Sequence, residues 1–276
     1  MRGWWREIAG LVLPVACGGC GRPRTALCPR CGTELTGRGP RRVRPRPEPA
    51  RLPVVHAAAP YEGAVRALLL AHKERGALPL AGPLGGALAR AVEAAAGPCD
   101  AIGAGPLLLV PVPSSRSSVR ARGHDPTRRI ALAAAGRLRR AGRAARVLPV
   151  LRQCRPVADQ SQLDARGRLA NLAGALEVAA GGVRLLDEAA RTAGRVVLVD
   201  DLMTTGASLA EAARALDAAR SGVHRQFIPG LRDSSKEHVA EGVFEQPVAA
   251  VVASSPSSFE INRNSRGSCI VAGGER

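Results

Sequence analysis

Two groups of residues have types and spacings that can do chemistry. The first is the string Val196-Val-Leu-Val-Asp-Asp-Leu-Met-Thr-Thr-Gly-Ala-Ser208. Its aliphatic start predicts a buried strand that carries two carboxylates, Asp200 and Asp201, to its carboxyl end, where α/β proteins bind ligands. The loop that follows (Thr204, Thr205, Gly206, Ala207 and Ser208) brings three hydroxyls and a set of backbone N–H groups to the start of a predicted helix, whose positive end favours an anion. Gly206 is expected to let the backbone approach a ligand oxygen with no side chain in the way. Adjacent carboxylates beside a phosphate cradle suit a sugar phosphate, because they accept hydrogen bonds from vicinal hydroxyls. The plainer alternative is a strand–turn–helix in which Thr205 or Ser208 only caps the helix, but the whole string is more specific than a cap requires.

The second group is cysteine. Of seven cysteines, Cys17, Cys20, Cys28 and Cys31 form a C-x2-C-x7-C-x2-C pattern. Each C-x-x-C turn lets two thiolates converge on one metal, and the glycine after each pair permits a tight backbone whose amides point at sulfur. Four thiolates around Zn²⁺ leave a charge of −2, which Arg22, Arg24 and Arg30 are placed to offset. Two disulfides in a secreted domain, or a single redox pair, are the competing readings of this spacing. Cys99, Cys154 and Cys269 show no partner spacing and are expected to be free thiols in a reducing cytoplasm.

These groups need a scaffold, and the 276 residues suffice for one large domain with a small appendage. At 46% hydrophobic residues the chain can bury a core, and no apolar run approaches the ~20 residues of a membrane span. Forty Lys and Arg against 23 Asp and Glu give a net charge of +17, but Lys73 and Lys236 are the only lysines. That bias fits a GC-rich genome as well as it fits an anionic partner. Aromatic content of 2% argues against a nucleic-acid surface built on base stacking. Arg2 and Arg6 before the apolar stretch 8–16 resemble a leader, but Glu7, Pro14 and the use of Cys17 in the paired set favour a short helix packed on the metal module.

Residues 37–53 are rich in Arg, Pro and Gly and read as a linker. From Val54 onward, short apolar runs alternate with longer helical patterns. Strands are expected at Val54–Ala59, Leu107–Val112, Val147–Leu151, Ala175–Val178, Val196–Val199 and Pro247–Ser255. Helices are expected at Tyr61–His72, Leu84–Ala96, Pro126–Ala141 and Ser208–Ala219, with Ser114–Ser118 a loop. The alternation predicts a largely parallel sheet covered by helices on both faces. Residues 221–246 read as a polar surface excursion within a body spanning 54–255, and residues 256–276 as a polar tail.

The string at 196–208 resembles the signature for phosphoribosyl pyrophosphate (PRPP) in type I phosphoribosyltransferases. Other motifs resemble one branch of that group, the ComF family, which includes proteins associated with competence and DNA uptake. These are Leu13-Pro-x-x-Cys17-x-x-Cys20-Gly, Leu27-Cys28-Pro-x-Cys31, Tyr61-x-Gly63 with Arg66 and Lys73, Val110-Pro-Val-Pro113, Arg122-Gly123, Gln160-x-x-Leu163 and Arg168-x-x-Asn171. The resemblance implies a type I phosphoribosyltransferase fold with a small N-terminal zinc-ribbon-like module over residues 1–36, in a cytoplasmic protein. It implies that Asp200 and Asp201 hold the ribose hydroxyls of Mg²⁺–PRPP and that Thr204–Ser208 surround its 5′-phosphate. Ser114, Ser115 and Arg116 fall where that fold holds pyrophosphate, and Lys73, Arg122 and Arg168 match positions of further anion ligands. The chain departs from the family at His124-Asp125-Pro126, where an aromatic residue and Asn usually follow Arg-Gly. A carboxylate at Asp125 is unfavourable beside pyrophosphate, and His124 is expected to serve the loop or the helix start. No aromatic-and-amide cluster for reading an acceptor base is visible. The expected activity is therefore phosphoribosyl transfer to an unknown acceptor. The alternative is a non-enzymatic uptake factor that holds single-stranded DNA with the phosphate cradle and basic surface.

Overall fold

The computed structural model describes residues 16–97, 105–158, 164–226 and 247–260. Among these, six strands form one mixed sheet in the order β1-β2-β8-β7-β3-β4. They are β1 (Arg41–Val43), β2 (Val55–Pro60), β3 (Leu107–Pro111), β4 (Ala145–Val147), β7 (Arg195–Met203) and β8 (Val248–Ser254). All neighbours run parallel except β1, which pairs antiparallel with β2. A separate antiparallel pair, β5 (Leu151–Gln153) and β6 (Leu176–Val178), stands apart from the sheet.

Strand side chains alternate between faces, and both faces here are apolar. Leu107, Leu109, Val197, Val199, Ala250 and Val252 belong to one core, packed with α2 (Gly63–Glu74), α3 (Ala81–Ala96) and α5 (Pro126–Arg140). Leu108, Val110, Val196, Leu198, Ala249 and Val251 belong to a second core, with α8 (Ala207–Gln226) against it. Burial on both faces is why these strands read as continuous apolar runs. Alanine lines much of α3 and α5, so the two helices pack closely; a Cβ on Gly85 would lie 2.5 Å from the Ala133 side chain.

The N-terminal module is joined to the body. Cys28 caps α1 (Pro29–Thr36), with Pro29 at its first position. Leu35 of α1 is 1% exposed and belongs to the core beneath α2 and α3. Glu34 Oε2 accepts from the Ala64 amide at 3.2 Å, serving the N-terminus of α2, whose own cap residue Glu62 makes no side-chain bond. The second cysteine pair therefore sits at a helix start, where a ribbon would have a second turn between strands.

Several elements differ from the expectations. The segment read as linker supplies β1, whose Val43 is buried against β2. The expected strand 147–151 is two strands separated by Pro149, with β4 ending at Val147 and β5 starting at Leu151. The expected loop Ser114–Ser118 is a cap and helix start: Ser115 accepts from the Ser118 amide and opens α4 (Arg116–Arg122). Two helices, α6 (Ala165–Leu172) and α7 (Gly182–Arg191), were not expected, and α9 (Pro256–Glu260) starts the tail. Residues 221–226 continue α8, while the rest of the expected excursion (227–246), the leader-like segment 1–15, Cys99, Gln160-x-x-Leu163 and the tail from 261 lie outside the described residues. Among the described residues no helix is long and apolar enough to cross a membrane.

Candidate functional site

β3 connects onward to β4 on one side, whereas its neighbour β7 connects onward to β8 on the other, so the connections from these two adjacent strands leave in opposite directions. Ligand crevices of open α/β sheets form at such a switch point, outside the carboxyl ends of the strands. A cavity of about 860 Å³ opens there. Lys73, Ser114, Ser115, Arg122, Arg168, Asp200, Asp201, Thr204 and Ser208 all line it, drawn from five separate parts of the chain.

The acidic pair is asymmetric. Asp201 is 5% exposed and its Oδ2 lies 3.1 Å from Lys73 Nζ, at the end of α2. Asp200 is half-buried; its Oδ1 accepts from the Asp201 amide at 2.8 Å and faces Thr127 Oγ1 of α5 at 3.5 Å. Burial, and then the neighbouring Asp201 carboxylate, push the Asp200 carboxyl well above the ordinary range, against the opposing pull of Lys73. The Asp201 carboxylate in turn raises the Lys73 ammonium, outweighing the burial that would lower it. The site thus stores a destabilised carboxylate next to a firmly held cation, a pattern of functional sites.

The other anion candidates divide. Arg168 Nη1 donates to Thr204 Oγ1 at 3.1 Å, so α6 touches the Thr204–Ser208 loop. Arg122 Nε donates to Glu74 Oε2 at 3.0 Å. Arg116 is exposed and faces an adjoining groove with Gln153, Cys154 and Arg155; it does not line the main cavity. Thr205, Gly206 and Ala207 do not line it either. Thr205 Oγ1 accepts from the Ala207 amide at 3.5 Å, and Ala207 is buried. Gly206 has φ +77°, and a Cβ there would meet Leu52 at 2.9 Å and Pro45 at 3.4 Å. Its missing side chain makes room for the Arg/Pro-rich segment.

Asp125 is also reassigned. It accepts from the Arg128 amide at 3.0 Å as the N-cap of α5, ahead of Pro126, and does not line the cavity. His124 serves the loop as expected: its Nδ1 lies 3.2 Å from Arg122 O and its Nε2 3.3 Å from His72 O, with the His72 ring edge-on at 5.6 Å. Burial pushes the His72 imidazole down.

Tyr61, known from sequence only as part of its Tyr-x-Gly motif, and Gln153, for which no role was expected, both line the cavity. Gln153 lies on β5, and the β5–β6 pair is fixed by a buried cluster. Glu211 of α8, 5% exposed, accepts from the Leu176 amide at 3.0 Å, and Arg214 bonds both Glu211 and Leu176 O. Glu211 lies in an alanine-rich helical run, which gave no sequence signal for this link.

The four cysteine Sγ atoms lie within 4.8 Å of one another, close enough to hold one metal ion. Cys20 and Cys28 Sγ are 3.6 Å apart, and the Cys28 amide donates to Cys17 Sγ at 3.3 Å. Burial raises the Cys17 thiol, but the amides of Cys20, Cys28 and Gly19 outweigh it and bring the thiol down to about 6. The Cys31 amide lowers the Cys28 thiol, whereas burial among the other sulfurs raises that of Cys31. A Cβ on Gly19 would sit 2.7 Å from Cys31 Sγ, so only glycine lets the first turn close on the second pair. All-thiolate donor sets suit Zn²⁺. Cys154 is a free, exposed thiol.

No family model and no curated protein matches this chain.

Proposed function

We propose that the chain is a phosphoribosyltransferase-like protein that binds Mg²⁺–PRPP at the carboxyl ends of β3 and β7, with a structural Zn²⁺ on Cys17, Cys20, Cys28 and Cys31. The observation that carries this reading is one cavity that joins the Asp200–Asp201 pair, Thr204 and Ser208 of the phosphate loop, and Ser114 and Ser115 after β3. In this reading the two carboxylates take the ribose hydroxyls and the metal that accompanies the substrate. Thr204, Ser208 and Arg168 take the 5′-phosphate, and the Ser114–Ser115 turn with Lys73 and Arg122 takes pyrophosphate.

The reaction is displacement at C1 of the ribose. An acceptor lone pair forms the new bond to C1 as the C1–O bond to pyrophosphate breaks, and pyrophosphate leaves with that electron pair. Magnesium, bound with the substrate, would neutralise the leaving group. The chain's own residues position the sugar and counter positive charge growing at C1, so electrostatics and orientation carry the rate. Tyr61 and Gln153 are the side chains available to stack on and read an acceptor.

The test is calorimetric binding of PRPP with Mg²⁺, joined to pyrophosphate release with adenine, guanine, uracil, orotate or short single-stranded DNA as acceptor. Binding with slow release that depends on one particular acceptor is expected. Rapid turnover with a common free base would make it an ordinary salvage enzyme. The net charge of +17 favours one other reading, the DNA-holding uptake factor. That reading expects DNA affinity that falls steeply with salt, and no release with any acceptor.

A further inference from the structure

Among the described residues, six charged side chains line the cavity: Lys73, Arg122, Arg168, Glu74, Asp200 and Asp201. Each cation already has a partner there. Lys73 holds Asp201, Arg122 holds Glu74, and Arg168 holds Thr204. Counted formally, three cations face three carboxyl groups before any ligand enters. A bare anion that recruits Lys73 and Arg122 leaves their carboxylates facing added negative charge, whereas an anion that arrives with a divalent cation keeps the balance. Asp200 and Asp201 have a role in the proposed reading, on the ribose side. Glu74 has none.

Glu74 is nevertheless held in place. It ends α2, and its partner Arg122 ends α4, on the turn that leads to α5. The same turn is fastened to α2 a second time, where His124 Nε2 meets His72 O. The Arg122 side chain is 20% exposed and that of Glu74 is 48% exposed. When an anion takes Arg122, the guanidinium stays and the carboxylate turns to water, remaining near enough to repel the newcomer. We propose that Glu74 is a specificity-determining residue: it biases the cavity toward a pyrophosphoryl group bound as its divalent-metal complex and against the metal-free anion. This rests on the PRPP reading above and assigns to one side chain a share of the discrimination that the acidic pair also supports.

The experiment is calorimetry with inorganic pyrophosphate, in Mg²⁺ and in EDTA, on the wild-type protein and E74Q. E74Q is expected to bind metal-free pyrophosphate about fivefold more tightly, the size of a partly exposed ion pair released, and to change its affinity for the magnesium complex by less than roughly twofold. The gain is expected to vanish in an R122Q background, because Glu74 acts through Arg122. Unchanged discrimination in E74Q, an equal gain with and without Mg²⁺, or weaker binding of the magnesium complex would overturn the assignment to Glu74 while leaving the PRPP reading intact. If neither protein binds pyrophosphate even with Mg²⁺, the PRPP reading fails and this inference fails with it. An unchanged melting temperature of E74Q checks that the fold is intact.

Discussion

Asp200 shows most clearly what the arrangement of the cavity costs the fold. Its carboxyl is raised in the folded protein, so the folded state binds its proton more tightly than the unfolded chain does. For such a group, stability falls as pH rises from the ordinary aspartate value of 3.8 through the raised folded one, and the full cost is present above it. Asp200→Asn removes that cost. Its melting temperature near neutral pH is expected to exceed that of wild type, by about 2–4 °C for each kcal/mol recovered, and the difference is expected to shrink on acidification. The same variant is expected to bind Mg²⁺–PRPP more weakly by roughly 1.5–3 kcal/mol, the worth of one charged hydrogen bond. Scanning calorimetry across pH, with ligand titration, reads both; a variant that is neither more stable nor weaker in binding would remove Asp200 from the site.

The elements around the cavity are fastened by contacts that no local pattern announces. Gly206 is expected to be intolerant of alanine, at about 1–3 kcal/mol, because φ is positive and Leu52 fills the space. Shortening Leu52 to alanine in the same chain should recover the steric part and leave the backbone part, which denaturant melts of the three variants would separate. Glu211 is lowered in the folded state, because bonds from Arg214 and the Leu176 amide outweigh its burial. Its contribution is therefore present above the ordinary glutamate value of 4.5 and lost as pH falls below it. Amide exchange in β5 and β6 should accelerate there, and Glu211→Gln should remove that acceleration; unchanged exchange would mean that other contacts hold the pair. These links explain what was legible. The central strands announced themselves by aliphatic runs, and Asp200, Asp201 and the phosphate loop by their string. Strand β1 did not, because two of its three residues are exposed arginines and only pairing with β2 makes it a strand. The helix from Pro126 was expected, but the Asp125 carboxylate that caps it was read only as a charge beside the site. Glu74 gave no signal, and Tyr61 gave one only as part of its Tyr-x-Gly motif, since their place at the cavity depends on which strands meet.

At the scale of the whole molecule, the cysteine module and the sheet behave as one body, because Leu35 and Glu34 of α1 insert into the packing and capping of α2. Stripping metal with a chelator is therefore expected to lower the melting temperature of the entire domain and not only to loosen residues 16–36. Leu35→Ala, at about 2–5 kcal/mol, should do the same with the cysteines intact. Protease mapping that finds an unchanged body after metal removal would show the module to be an independent appendage. Strand β8 adds a constraint of another kind. Among the described residues it is the last strand, all seven of its residues are buried, and it lies between β2 and β7. During synthesis on the ribosome, β2 and β7 emerge long before the strand that joins them, each with one edge open. Until residue 254 clears the exit tunnel, the nascent chain carries two unpaired apolar edges and an unformed ligand crevice. A fragment that stops short of β8 is therefore expected in aggregates or bound to chaperones, where the full chain is not.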